Sequence, residues 1–288
     1  MTVHRAQMAL VTSARMPKPD VELPLLVGAL ADMGITAAVW TWQEPFEWGS
    51  VPLVVIRSPW DYVEHLPEFL EWAKSVDAVT RLLNPLEVVT WNARKDYLLD
   101  LERKGVPIVP TTIAHQYYGM KWPDLSVFAL DEILVAKPIV GVGALGAKRG
   151  FRKDPEFLDH IKDLRETDDV LVQPYLPSVA TDGEVSLLYF DGVFSHAVRK
   201  RPASGDFRVQ EHHGGTVEDH TPTAQEMAVA EAALAAAPAP TLYARVDLVE
   251  HHGAPVVMEL ELIEPELFLR RSPAAAAVFA ARLRAALG

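Results

Sequence analysis

The chain has 288 residues, 49% hydrophobic and 23% charged, which is enough to bury a substantial core over two or three domains. Its net charge of -12 argues against binding a nucleic-acid backbone, which needs a basic face, and the absence of cysteine excludes disulfides and thiolate chemistry. The residues through Arg5 lead directly into strand-like Met8-Ala9-Leu10-Val11 without the apolar region of a signal peptide, and no apolar run reaches the roughly eighteen residues of a membrane span, so a cytoplasmic protein with no membrane partner is expected.

Residues 7–13 read as a buried strand, followed by a loop at Met16-Pro17-Lys18-Pro19. Leu26, Leu30 and Met33 give helical periodicity over Leu23 to Met33, stopping at Gly34, and strands follow at Ile35 to Trp40 and Leu53 to Ile56. Strand, helix and strand in this order indicate a parallel α/β unit, whose ligands collect beyond the carboxyl ends of the strands. The third strand ends there at Arg57-Ser58-Pro59-Trp60-Asp61-Tyr62. Arg57 is suited to grip a carboxylate bidentately, with Ser58, Asp61 and Tyr62 as polar companions; the alternative is an ion pair across the loop with Trp60 packed beneath. An amphipathic helix over Leu66 to Val76, a short strand at Arg81-Leu82-Leu83 before Asn84-Pro85, a helix from Asn92 to Lys104 carrying Lys95, and a strand over Pro107 to Thr111 complete this part. Tyr117 to Asp131 is weakly patterned, with a helix start at Trp122-Pro123-Asp124.

The stretch from Ile133 to Leu176 pairs a strand ending in Lys137-Pro138 with the glycine-rich segment Gly141 to Gly150. A second strand, a helix from Pro155 to Arg165, and the strand Val170 to Leu176 follow, making a small α+β unit. Glycines let a backbone approach phosphates and form an anion-binding concavity, and a lysine adds a mobile charge. Neither a phosphate loop nor a dinucleotide fingerprint fits, because no helix opens on the glycines. A surface hairpin and a phosphate lid both remain open locally.

Beyond Pro177, Glu184 to Phe190 and Val193 to Val198 flank Asp191-Gly192, a strong hairpin signal. Arg199-Lys200-Arg201, Phe207-Arg208-Val209 and His212-His213-Gly214-Gly215 come next; two adjacent histidines without a third at ligand spacing argue against zinc. An alanine-rich helix spans Thr223 to Ala237, and strands at Leu242 to Val249 and Val256 to Leu262 precede Glu264-Pro265-Glu266 and a terminal helix over Pro273 to Leu287. Asp247 on one strand, with Glu259 and Glu261 on one face of the next, forms an all-oxygen set suited to Mg²⁺; solvent-facing acids are the alternative. Val21 to Leu30 and the terminal helix offer apolar surfaces for a homodimer.

In this order the pieces resemble ATP-grasp enzymes of the glutathione synthetase and ribosomal-protein glutamate ligase type, over nearly the whole chain. The resemblance implies an α/β plus α+β fold: an N-terminal parallel domain over 1–112, a central lid over 113–178, and a C-terminal domain over 179–288. It gives Lys95 and Lys137 to the ATP phosphates, places Gly141, Gly143 and Gly146 over them, and assigns Gln173, Tyr175 and Leu176 to adenine and Glu184 to the ribose. Asp247, Glu259 and Glu261 would hold two Mg²⁺ ions, with Mn²⁺ as a substitute, and Arg199 and Arg208 would face the γ-phosphate and an acyl phosphate. Glu261 departs from the family, which has Asn there. The implied reaction joins a carboxylate, activated by ATP, to a nitrogen nucleophile on a small amino-acid substrate. The segment Arg57 to Tyr62 resembles the cyclo-ligases of the cycloserine pathway, which close O-ureido-D-serine into D-cycloserine. An intermolecular amino-acid or peptide ligase and a non-catalytic ATP-binding protein are the competing readings.

Overall fold

The computed structural model describes residues 6–15, 19–116, 124–272 and 274–288. The expected loop at Met16-Pro17-Lys18, the helix start at Trp122-Pro123 and the first residue of the terminal helix, Pro273, lie outside them. The first layer is a parallel sheet built from β1 (Met8–Thr12), α1 (Leu23–Asp32), β2 (Ala37–Thr41), β3 (Leu53–Ser58), α2 (Leu66–Asp77) and β4 (Arg81–Leu83), with strand order β2-β1-β3-β4. β1 and β3 are apolar along almost their whole length because both faces are covered. α1 stops where Gly34 takes φ +76°, a left-handed turn that suits glycine. All four strands point the same way, so Thr12, Arg57 and Ser58 meet at one edge.

The single helix expected over Asn92 to Lys104 is two helices, α3 (Leu86–Asn92) and α4 (Tyr97–Arg103), with Lys95 in the break. The Lys95 amide donates to Ile139 O at 2.9 Å instead of continuing a helical ladder, which ties this turn to the start of the glycine segment. The strand expected at Pro107 to Thr111 shrinks to one parallel bridge, Ile108 with Val257, since the flanking prolines lack an N–H to donate. The extended strand of this region comes just after it, as β5 (Thr112–Ala114).

β5 joins the second sheet with β6 (Ile133–Pro138), β7 (Lys148–Phe151) and β8 (Val170–Pro174), in the antiparallel order β5-β8-β6-β7. Helix α5 (Pro155–Arg165) covers one face, packing Phe157 and Ile161 on Leu134, Ala136, Val170 and Val172. Gly150 is required there, because a Cβ would stand 2.6 Å from that of Phe157. Val135, Lys137 and Gln173 alternate to the other face.

After the short helix α6 (Ser178–Thr181), a five-stranded antiparallel sheet forms from β9 (Glu184–Phe190), β10 (Val193–Arg201), β11 (Thr216–His220), β12 (Tyr243–His251) and β13 (Ala254–Glu261). Asp191 and Gly192 both take positive φ in the β9–β10 turn, as their sequence signals. The edge strand β11 (Thr-Val-Glu-Asp-His) carries little apolar pattern, and the sequence gives no sign of it. Helix α7 (Ala224–Ala235) opens with a Thr223–Glu226 capping box and presses small residues onto one face of the sheet. α1 and α8 (Ala275–Leu287) pack together on the other face, where Leu26, Leu30, Phe279 and Leu283 are buried. Most of the apolar surface expected to serve a dimer is thus used within the chain.

On that second face the apolar row of Phe190, Leu188, Val198 and Tyr243 gives way to Ser186, Glu184, Lys200, Arg245 and Asp247. Asn84 fastens the parallel layer to it, donating to Tyr243 O (2.9 Å) and Leu262 O (2.7 Å) and accepting from the Leu242 amide (2.7 Å). Asn84→Ala strands three buried groups, and urea denaturation should show a loss of roughly 2–5 kcal/mol. A loss below about 1 kcal/mol would show that Asn84 is not the fastening.

Candidate active site

β12 and β13 pair Asp247 with Glu259 and Arg245 with Glu261, so the three acids share one face and can each bring a carboxylate oxygen within 4.8 Å of the others. Glu184 approaches from β9. Three cations offset this charge. Lys200 Nζ lies 2.5 Å from Glu184 and 3.2 Å from Asp247. Arg245 forks onto both oxygens of Asp247 and onto Glu261. Lys95 Nζ donates to Glu259 at 2.6 Å and to Gly141 O at 2.8 Å. Ser186 adds a 2.5 Å hydrogen bond to Asp247.

Burial would raise every acid here, and the neighbours decide which acids escape. Arg245 and Lys200 hold Asp247 well below the usual carboxylate range, and Lys95 with Lys137 holds Glu259 below it. For Glu261 burial wins over Arg245, helped by Glu259 and Asp247, and its pKa is pushed up to about 8. Burial likewise lifts Glu264 to about 7 against Lys95 and the hydrogen bond from Tyr62. The donor set is hard, all-oxygen and partly preionised, and so fits Mg²⁺ or Mn²⁺.

Strand β6 of the second sheet presents Lys137 towards this cluster. Burial and the charge of Lys95 lower its pKa, against the pull of Glu259, and no carboxylate lies within ion-pair distance among the described residues. In the glycine segment Gly143 and Gly146 take φ +62° and +74°, which favours glycine, whereas Gly141 supplies the carbonyl that holds Lys95. Gln173 is buried and donates to Thr111 Oγ1 at 2.9 Å; the Tyr175 amide donates to Ile133 O, and Leu176 is buried. The Arg149 guanidinium lies 5.5 Å from the Tyr175 ring and 5.6 Å from that of Phe207.

The residues expected at the substrate wall divide. Arg57 is buried over the rings of Tyr243 and Phe279; its Nη2 donates to Pro265 O at 3.2 Å, and its buried Nη1 has no partner among the described residues. It borders a cavity of about 320 Å³ between the parallel layer and the segment 265–270. Tyr62 donates to Glu264 at 3.0 Å. Ser58 and Asp61 are not brought to the cavity: Ser58 bonds Thr12 inside the sheet, and Asp61 accepts from Trp42 and Gln43.

Arg199 is not brought to the carboxylates either. It occupies the opposite face of β10, bonded to Asp182 O and His220 and 3.9 Å from Glu226. Arg208 lies in the loop between β10 and β11, gripped by Asp206 at 2.8 and 3.1 Å. The cations that do reach the cluster, Lys200 and Arg245, went unselected in the sequence. The period-two alternation that groups Lys200 with Val198, and Arg245 with Asp247, is the signal that finds them.

Residues 120–251 match the ATP-grasp domain of prokaryotic glutathione synthetase. The fold superposes on a D-alanine–D-alanine ligase from Bacillus anthracis with a TM-score of 0.72, at 15% identity, covering 98% of this chain and 100% of that one. The chain is an ATP-dependent ligase of the ATP-grasp class. Residues 8–84 further match the N-terminal domain of D-cycloserine synthetase DcsG. The chain is 36% identical to the cycloserine biosynthesis protein DcsG of Streptomyces lavendulae, over 96% of this chain and 97% of that protein. A crystal structure of D-cycloserine synthetase DcsG matches with a TM-score of 0.87 and 35% identity, covering 98% and 99% of the two chains. The protein belongs to the DcsG family.

The raised acids set a pH dependence. Glu261, Glu264 and Glu22 keep their protons in the folded protein up to about pH 7 to 8, whereas an unfolded chain releases them near 4.5. Their contribution to stability is present below the unfolded value and is lost as pH rises through the folded ones. Without divalent metal the melting temperature should fall between about pH 5.5 and 8.5, and Glu264→Gln should flatten that slope. A melting temperature that rises over this window would contradict the assignment.

Proposed function

We propose that the protein closes O-ureido-D-serine into D-cycloserine. The observation that carries this reading, beside the family, is the cavity of about 320 Å³ between the parallel layer and the segment 265–270, of a size for one small amino acid. An intermolecular ligase would need a second, amine pocket beside Arg199 and Arg208, and the groove of about 100 Å³ at Arg199 opens on the face of the sheet away from the carboxylates.

In this reading residues 1–112 form the substrate wall, 113–178 the lid over the nucleotide and 179–288 the metal face, in the cytoplasm. Lys95 and Lys137 bind ATP phosphates beneath Gly141 to Gly150, Gln173, Tyr175 and Leu176 border the adenine, and Glu184 lies towards the ribose. Asp247, Glu259 and Glu261 would hold two Mg²⁺ ions, whose chemistry would be to neutralise phosphate charge. The substrate carboxylate attacks the γ-phosphorus, giving an acyl phosphate and ADP. The ureido nitrogen bonded to oxygen then attacks the acyl carbon, phosphate leaves, and hydrolysis of the carbamoyl group releases CO₂ and ammonia. Lys200 and Arg245, rather than Arg199, stand where charge develops on the transferring group. Attacking and attacked groups belong to one molecule, so the cavity acts by holding them folded together.

O-ureido-D-serine with Mg²⁺ and ATP should yield ADP and the cyclic product with no added amine. An obligatory second amine would replace this reading with the intermolecular ligase. Lys137→Ala should weaken ATP binding by at least about tenfold in a calorimetric titration while the melting temperature holds. Unchanged affinity would remove Lys137 from the phosphate site.

A further inference from the structure

The innermost wall of the 320 Å³ cavity joins two side chains with opposite hydrogen-bonding needs. Arg57 Nη1 is a buried donor without a partner among the described residues, on a residue only 2% exposed. Glu22, 3% exposed, already accepts from the amides of Leu267 (2.7 Å) and Leu269 (2.5 Å), and each carboxylate oxygen has a lone pair to spare. The outer lining adds more acid than base. Asp20 caps the backbone of Glu22 and Leu23, and Arg270 is spent on Glu211 and Glu266.

Above about pH 7, where Glu22 is ionised, a carboxylate entering this end would satisfy Arg57 but would face Glu22 and Glu266 without a second free cation among the described lining residues. An ammonium would meet Arg57. A planar group that accepts on one atom and donates from the next satisfies both side chains and adds no charge. We propose that Glu22 and Arg57 form a subsite for a neutral urea or carboxamide at the far end of the substrate from its carboxylate. Arg57 donates to the carbonyl oxygen, and Glu22 accepts from the amide NH₂. The sequence reading of Arg57 as a carboxylate clamp is thereby replaced.

The position of the subsite supports this polarity. Arg245 donates to Glu266 O at 3.2 Å, and Trp60 Nε1 donates to Glu264 O at 3.2 Å, so the cavity lip is tied to the carboxylate cluster. A substrate whose carboxylate reaches the cluster therefore turns its other end towards Arg57. This orientation rests on the cyclo-ligase reading, whereas the preference for a neutral tip follows from the cavity alone.

D-2-aminoadipate and its 6-amide test it, since they share the chain length of O-ureido-D-serine and differ only in the charge of the tip. In calorimetric titrations at about pH 8.5, which ionises Glu22, the wild-type protein should bind the amide at least about tenfold more tightly than the acid. Glu22→Gln, which removes the charge and keeps an acceptor for only one of the two backbone amides, should lose most of that preference while the variant still binds ATP as the wild type does. Equal binding, preference for the acid, or no binding of the amide overturns the subsite, even if O-ureido-D-serine still drives ADP release. Preference for the amide without ADP release from O-ureido-D-serine keeps the subsite and removes the proposed reaction.

Discussion

Four carboxylates are gathered on one face of the antiparallel sheet, and placing so much like charge in a half-buried cleft is tolerable only with cations among it. Lys95 arrives from the turn between α3 and α4, Lys200 from β10, and Arg245 from the same strand as Asp247. Much of the architecture supplies these cations at the right height. The break in the Lys95 helix is fixed by the hydrogen bond that its backbone amide donates to Ile139 O, Asn92 bonds the backbone of Leu260 and Leu262 on either side of Glu261, and Asn84 anchors the same segment from below. Because the charges are nearly matched, divalent metal and nucleotide phosphate can enter as a further balanced set.

The cleft is graded from end to end. Towards the second sheet it is cationic, with Lys95 and Lys137 near one another and the carbonyl of Gly141 as a tether. Towards the parallel layer it turns acidic, with Glu264 and Glu22 carrying raised pKa values and Arg57 as the buried counter-charge. A molecule with an anionic end and a neutral end fits such a gradient in one direction.

The strong signals in the sequence were local ones. Two periodicities placed the β-α-β layer and the two hairpins, and the Asp-Gly turn, the helix-ending Gly34 and the acids of β12 and β13 all lie as their spacing indicates. Lys95 was different: a lone lysine near a helix carries no signal until the distant Ile139 and Glu259 that hold it are known. Arg199 and Lys200 show the same limit at one-residue scale, since neighbouring strand residues point to opposite faces and the choice between them turns on phase. Ser58 and Asp61 were drawn to the site by proximity in sequence, yet tertiary partners on β1 and beside β2 claim them. The edge strand β11 stayed hidden because an exposed polar strand has no apolar period to read.

The assignment of Asp247, Glu259 and Glu261 to a metal that bridges nucleotide phosphates is tested most directly by a Mn²⁺ titration, followed by electron paramagnetic resonance in the presence of ADP, on the wild type and Glu259→Gln. The account predicts bound Mn²⁺ in the wild type, dependent on ADP, and its loss in a variant that still folds. Equal Mn²⁺ binding by both proteins, or binding indifferent to ADP, would contradict it.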